Sequence, residues 1–383
     1  MIRAATSFSK KQLDKIFSLT RENLAKPCTL WFSHTPFAHD RHSCDTVALI
    51  KYPKAHYSLL HTPQRGSFIF ISYFCGMKVG LYLLWGLCWV LSRLPMRVLY
   101  ALSDCLFPLV YHLARYRRKL VYKQLQDSFP DKSHQWYRHT ERQYYHFFCD
   151  YIVETLKLMH MGSGEIERRV TFEGLEELQA EMRTRDIQFA IAYLGHYGNW
   201  EWVASFSQHL GLDFCGAQIY HPLKNTMIDN FFVNLRRQFG GECVSMKDTL
   251  RHILKVSKGE KREIIGFIAD QCPKWEAMHH WTQFLRHKTS FFIGPEQIGK
   301  RVSACMVYVH VTRPKRGYYH CRIIPLAWEP QKHKNYEITD LYASSLEKQI
   351  REQPELWLWT HNRWKRTYED WLKLRKNSIK DDL

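Results

Sequence analysis

Apolar and polar positions follow two rhythms along this chain, and the changes between them mark its elements. From Gln135 to Met159, Trp136, Tyr144, Phe147, Phe148 and Tyr151 fall at helical spacing. Beyond them, short apolar runs alternate with helical stretches. Phe189–Leu194, Ile264–Ala269, Ala304–Val311 and Tyr319–Pro325 read as strands, the first so apolar that both its faces must be buried. Helices are expected after His196, over Thr226–Phe239, Asp248–Lys258 and Gly294–Lys300, and over Ile338–Gln353. The alternation predicts an α/β fold with helices on both faces of the sheet.

The amino-terminal part has a different pattern. Residues 1–76 show no sustained apolar period, so they are expected to be a disordered extension or a non-native start, with the working chain beginning near Met77. Ser67 to Ser92 is strongly apolar but carries Lys78, and only 14 uncharged residues run from Val79 to Arg93. That length suits an interfacial or marginal membrane helix. A second apolar stretch, Leu99 to Leu113, is broken by Asp104 and Pro108 and ends in Arg115, Arg117, Arg118 and Lys119. This basic cluster reads as cytoplasmic and lipid-facing, or as a solvated helix face. The expected organisation is thus an extension (1–76), membrane-associated helices (77–115), a catalytic domain (116–370) and a charged tail (371–383).

Charge narrows the partners. Fifty-five Lys and Arg against 37 Asp and Glu give 383 residues a net +18, which favours an anionic partner: lipid, an acidic carrier protein or nucleic acid. The 13 Trp suit a membrane interface. Eleven scattered Cys form no C-x-x-C pair, so neither a zinc pattern nor a disulfide framework is expected. No P-loop or G-x-G-x-x-G is present, and the trio His279, His280 and His287 has no interleaved acidic or Cys ligand. No cofactor and no metal are expected.

The candidate chemistry lies in GHYGNWEW, Gly195 to Trp202. The strand Phe189–Leu194 runs into Gly195 and Gly198, which allow a sharp turn before the next helix. His196 therefore sits at the carboxyl end of a strand, where open α/β sheets place their chemistry. Glu201, in the first turn of that helix, is within reach of an imidazole nitrogen, and a histidine so held is a general base with a fixed tautomer. The spacing alone leaves a turn-capping histidine open, because about two His-x4-acid pairs are expected by chance in a chain of this composition. The other such pair is His160 with Glu165, in a polar stretch read as a loop.

Further candidates surround this one. Asn199, inside the turn, is a candidate substrate-binding residue. Lys224, Arg236 and Arg237 are cations able to hold a phosphate or a carrier's phosphopantetheine, or form a basic helix surface. Asp270 ends the strand Ile264–Ala269 at the same topological position as His196; it is a site residue or a cap. No Ser or Cys occupies a nucleophile elbow, so direct attack by an acceptor oxygen is simpler than an acyl-enzyme.

Several blocks taken in order are more specific than the single motif. GHYGNWEW at 195–202, IYHPLKNTMID at 219–229, RRQFGGE at 236–242, IADQ at 268–271, TSFFIGPEQIGKR at 289–301 and QPELWLWTHNRWK at 353–365 resemble the bacterial lipid A late acyltransferases, within the lysophospholipid acyltransferase superfamily. The resemblance covers about 77–366. It implies a glycerolipid acyltransferase-like fold, a mixed sheet flanked by helices, with an amino-terminal membrane helix at the cell inner membrane and a cytoplasmic catalytic domain. It implies transfer of a fatty acyl chain from acyl carrier protein to a hydroxyl of a lipid A precursor, with His196 as base and Glu201 as its partner. One position departs: His221 stands where the group often has arginine, which leaves Lys224 or Arg236 to hold the anion. Another membrane lipid, such as an amino-acid lipid or a lysophospholipid, is the alternative acceptor. A basic nucleic-acid-binding module is the reading from a different class, and the apolar 67–92 segment argues against it.

Overall fold

The structure, a computed structural model, describes residues 83–381. The expected extension 1–76, the start at Met77 and most of the first apolar run lie outside the described residues.

The main sheet has seven strands in the order β1-β9-β8-β2-β5-β3-β4. They are β1 (Val170–Glu173), β2 (Phe189–Leu194), β3 (Phe214–Tyr220), β4 (Glu242–Ser245), β5 (Arg262–Ile268), β8 (Cys305–Lys315) and β9 (Tyr318–Ala327). All neighbours are parallel except the β8–β9 hairpin, so the sheet is mixed. A separate hairpin joins β6 (Trp281–Phe284) to β7 (His287–Ser290). Beyond Pro95 the α-helices are α1 (Met96–Pro108), α2 (Arg118–Ser128), α3 (His134–Lys157), α4 (Ser163–Arg169), α5 (Leu175–Thr184), α6 (Trp200–Val203), α7 (Thr226–Arg237), α8 (Thr249–Val256), α9 (Gly294–Val302), α10 (Glu337–Glu352) and α11 (Tyr368–Asp381).

The central strands form for the reason their composition suggests. Every residue of β2 is buried, as a parallel strand covered on both faces requires. The long helix α3 starts at Ser133, whose hydroxyl accepts the Trp136 N–H at 3.2 Å, and it turns Tyr137, Tyr144, Phe147 and Val153 inward. Asn225 caps α7 by accepting the Met227 and Ile228 N–H groups.

Two expected elements need correction, and the membrane helix is not shown where the chain is described. Among the described residues, no helix is long and apolar enough to cross a membrane. The helical stretch that ends the first apolar run stops at Leu91, and α1, after the turn 92–95, is 13 residues long. One face of α1 is sealed against protein: Ser103 donates to Asp150 at 2.7 Å and Tyr100 donates to Glu154 at 2.9 Å. Its other face leaves Val98 and Leu102 exposed. Met96, Leu99, Phe107 and Tyr111 share one buried cluster with residues of the sheet. The helix expected over Trp200–Leu210 is one α-turn, α6, followed by a 3-10 segment, Ala204–His209. Finally, the polar segment after His160 is the helix α4, in which Glu165 pairs with Arg169 at 3.0 Å.

Candidate active site

The site is built where β2 and β5 end side by side. Their parallel register pairs Leu194 with Ile268, so the residues two steps further, His196 and Asp270, leave the sheet as neighbours. The intervening Gly195 has no room for a side chain, since a Cβ there would lie 2.7 Å from Leu346 Cδ1. Gly198 turns the chain with φ +58°, a conformation that favours glycine. The strap 356–358 closes over the turn: Gly198 N–H donates to the Leu356 carbonyl at 3.0 Å, and Leu358 N–H donates to the His196 carbonyl at 3.1 Å.

His196 is held by Asp270 twice. Its Nδ1 lies 2.6 Å from Asp270 Oδ1, and its backbone N–H donates to Oδ2 at 3.0 Å. The Trp357 indole N–H adds a third bond to Oδ2, at 2.8 Å. Burial by itself would raise the Asp270 carboxyl; the His196 imidazole and backbone N–H and the Trp357 indole outweigh it and hold it at about 2. An ionised Asp270 accepts the Nδ1 proton, which leaves the lone pair of neutral His196 on Nε2. The Gln271 side-chain amide lies 3.2 Å from that nitrogen. His196 keeps 19% of its side chain exposed against 3% for Asp270, so the free edge of the ring is the accessible part of the pair. Trp200 stands edge-on to the imidazole at 5.1 Å, and Tyr151 of α3 packs against Trp200 at 4.3 Å with the rings tilted by 30°.

Glu201 does not contact His196. It is buried and engaged on both oxygens by Arg236, at 2.6 and 2.7 Å, and Trp200 Nε1 donates to it at 3.2 Å. The strand-end turn directs Nδ1 toward β5, while α6 directs Glu201 toward α7. The expected partnership of His196 with Glu201 is therefore replaced by His196 with Asp270, and Glu201 ties the motif to α7. Burial works against the Arg236 cation, but the Glu201 carboxylate more than compensates and keeps it charged.

Asn199 is fully buried with both ends of its amide in use. Its Oδ1 accepts the Trp202 N–H at 3.2 Å and its Nδ2 donates to Glu154 at 3.0 Å. Its contacts are with the protein around it, away from solvent. The three cations do not form one cluster. Lys224 is exposed in the loop before α7, Arg237 is exposed at the end of that helix, and Arg236 is turned inward to Glu201. Lys224 precedes and Arg237 ends a 12-residue helix, about 18 Å long at 1.5 Å per residue. His221 is exposed, with Nδ1 2.9 Å from the Pro222 carbonyl.

Sequence reasoning missed Gln271, Trp357 and Glu154. Gln271 and Trp357 lie inside the family-like blocks 268–271 and 353–365, but no local pattern assigns either a partner. Glu154 sits in an aromatic-rich helix where a carboxylate reads as solvated. A second histidine, His361, stands near the pair and accepts the Cys272 N–H at 3.2 Å. Burial holds His361 at about 4, so it is neutral at ordinary pH.

The arrangement offers an ionised carboxylate, an oriented imidazole with an accessible nitrogen, and an amide donor beside it. Among the described residues no Ser, Thr or Cys bonds to His196 Nε2. An imidazole so arranged is able to accept a proton from a hydroxyl or water brought to it.

Residues 73–366 match the family model of the bacterial lipid A biosynthesis acyltransferases. The chain belongs to this family. It is also 24% identical, over 287 residues, to the lipid A biosynthesis lauroyltransferase of Escherichia coli (strain K12), an alignment that covers 73% of this chain and 89% of that protein. The matched region of this lipid A acyltransferase holds the whole His196–Asp270 site, and the protein is an enzyme that transfers acyl groups in lipid A biosynthesis.

Proposed function

We propose that His196 is the general base of an acyl transfer from acyl carrier protein to a hydroxyl of a lipid A precursor. The single observation that carries this reading is the 2.6 Å bond from His196 Nδ1 to Asp270, which leaves Nε2 as the accessible basic atom. Nε2 takes the acceptor's proton as its oxygen attacks the thioester carbonyl carbon. The carbon–sulfur bond then breaks, and the carrier thiolate takes the proton from Nε2 as it leaves. The products are the ester and the free carrier thiol. The Gln271 amide, beside Nε2, is placed to donate to the oxyanion that develops at the carbonyl.

The carrier and the lipid phosphates are both anionic, which suits a net charge of +18. Exposed Lys224 and Arg237 are the cations offered to them. Leu109, Leu113 and Tyr116 are exposed alongside Arg115 and Arg117, a mixture of apolar and basic groups that suits the inner face of the cell inner membrane. The test is acyl transfer by His196→Ala from acyl carrier protein to a lipid A precursor. Turnover should fall at least about 100-fold for a lost base. Near-wild-type turnover in folded protein contradicts the assignment.

A further inference from the structure

Glu154, on α3, lies outside the motif blocks and touches neither His196 nor Asp270, yet it is fully buried. Four elements converge on its carboxylate. Asn199 Nδ2, from the catalytic turn, donates to Oε2 at 3.0 Å. The Tyr319 hydroxyl, from β9, donates to the same oxygen at 2.7 Å. The Tyr100 hydroxyl, from α1, donates to Oε1 at 2.9 Å, and Arg313, from β8, lies 3.6 Å from that oxygen. The Glu154 backbone carbonyl accepts the Trp202 indole N–H at 3.0 Å.

These bonds hold the turn at Asn199, a different point from the one Asp270 holds at His196. Asn199 is three residues beyond His196, and its other amide end caps α6 through the Trp202 N–H. One turn earlier on α3, Tyr151 backs Trp200, whose indole stands against the imidazole. The i and i+3 positions of one helix face thus support two consecutive residues of the turn. Burial pushes the Glu154 carboxyl above its usual range, against the pull of Arg313, Asn199 and Tyr319, so a carboxylate is costly to hold here. An apolar residue would avoid desolvating a carboxylate, but it would give Asn199 nothing to bind and leave the buried Arg313 with one carboxylate fewer.

We propose that Glu154 is a positioning residue for acyl transfer, fixing through Asn199 the turn that presents His196. The proposal rests on His196 being the base. Misplacement of a catalytic group by about 1 Å costs up to about 100-fold in rate, so a turn anchored at only one point loses turnover more than binding.

Two substitutions separate this role from a purely structural one. Glu154→Leu removes every acceptor, whereas Glu154→Gln keeps one oxygen for Asn199. Both remove the charge opposite Arg313, so both lower thermal stability. Glu154→Leu should lower kcat, per folded molecule, by about ten-fold or more with KM within about three-fold, and Glu154→Gln should recover most of that loss. If the leucine variant does not fold, Asn199→Asp reads the same contact: the cap acceptor stays, the donor to Glu154 is lost, and kcat should fall at least about five-fold. Wild-type kcat in folded Glu154→Leu, or in Asn199→Asp when the former does not fold, overturns the proposal. His196→Ala is measured alongside. If it is inactive while the Glu154 and Asn199 variants are not, only the positioning role fails; if it is active, the assignment of the base fails.

Discussion

Glu201 gives both carboxylate oxygens to Arg236, at 2.6 and 2.7 Å, and none to His196. The acid of the His-x4-acid motif is thus a clamp between the catalytic turn and α7, and a different carboxylate, Asp270, orients the imidazole.

A buried clamp has a thermodynamic signature. Removing one partner leaves the other charge buried and unpaired, so Glu201→Leu and Arg236→Leu should each lose about 3 kcal/mol of stability. The double variant should lose less than the sum, because neither charge is then stranded. Urea unfolding of the four proteins gives the coupling energy, and strict additivity would show that the pair is not coupled.

The Asp270 carboxyl sets an acid limit on the fold. Its native value of about 2 lies below the ordinary 3.8, so it binds a proton less readily folded than unfolded. The resulting stability is fully present above about pH 4 and is lost as pH falls through about 2. Asp270→Asn removes a titrating group, so the stability gap between wild type and variant should narrow across that window. Unfolding midpoints measured from pH 5 to pH 2 check this; a constant gap would mean that Asp270 titrates alike in both states.

The exposed and the buried cations should behave differently. Lys224→Ala and Arg237→Ala should raise KM by several-fold with little change in kcat, and the effect should shrink as salt screens the charges. Arg236→Ala should act chiefly on stability. Steady-state kinetics at low and high ionic strength, with melting curves, separate the two groups. A salt-insensitive loss of kcat in the Lys224 variant argues against a binding role.

The sequence patterns that worked are those with a single physical reading. The wholly apolar run Phe189–Leu194 has the bounds expected of β2, and α7 begins at the expected Thr226, with Asn225 capping it. Strand β3 was illegible because Gly216 and Gln218 break its apolar run, and β1 and β4, at four residues each, are too short to show a period. The β6–β7 hairpin turns on Leu285 and Arg286, both with positive φ, where glycine or asparagine is the usual signal. The partner of His196 was hidden for a related reason. Proximity in sequence favoured Glu201, five residues away, whereas the pairing is set by the parallel register of β2 with β5. Asp270 was legible as a strand-end carboxylate, but its bond to His196 follows only once those two strands are adjacent.

The most direct test compares Asp270→Asn with Glu201→Gln for acyl transfer across pH, in folded protein. The account predicts that Asp270→Asn lowers kcat at least about 100-fold, because the amide no longer fixes the proton on Nδ1 or stabilises the imidazolium. It predicts that Glu201→Gln leaves the acid limb of the rate profile in place, since Glu201 does not touch the ring. Near-wild-type turnover by Asp270→Asn, together with a displaced acid limb in Glu201→Gln, would contradict the account and return the orienting role to Glu201.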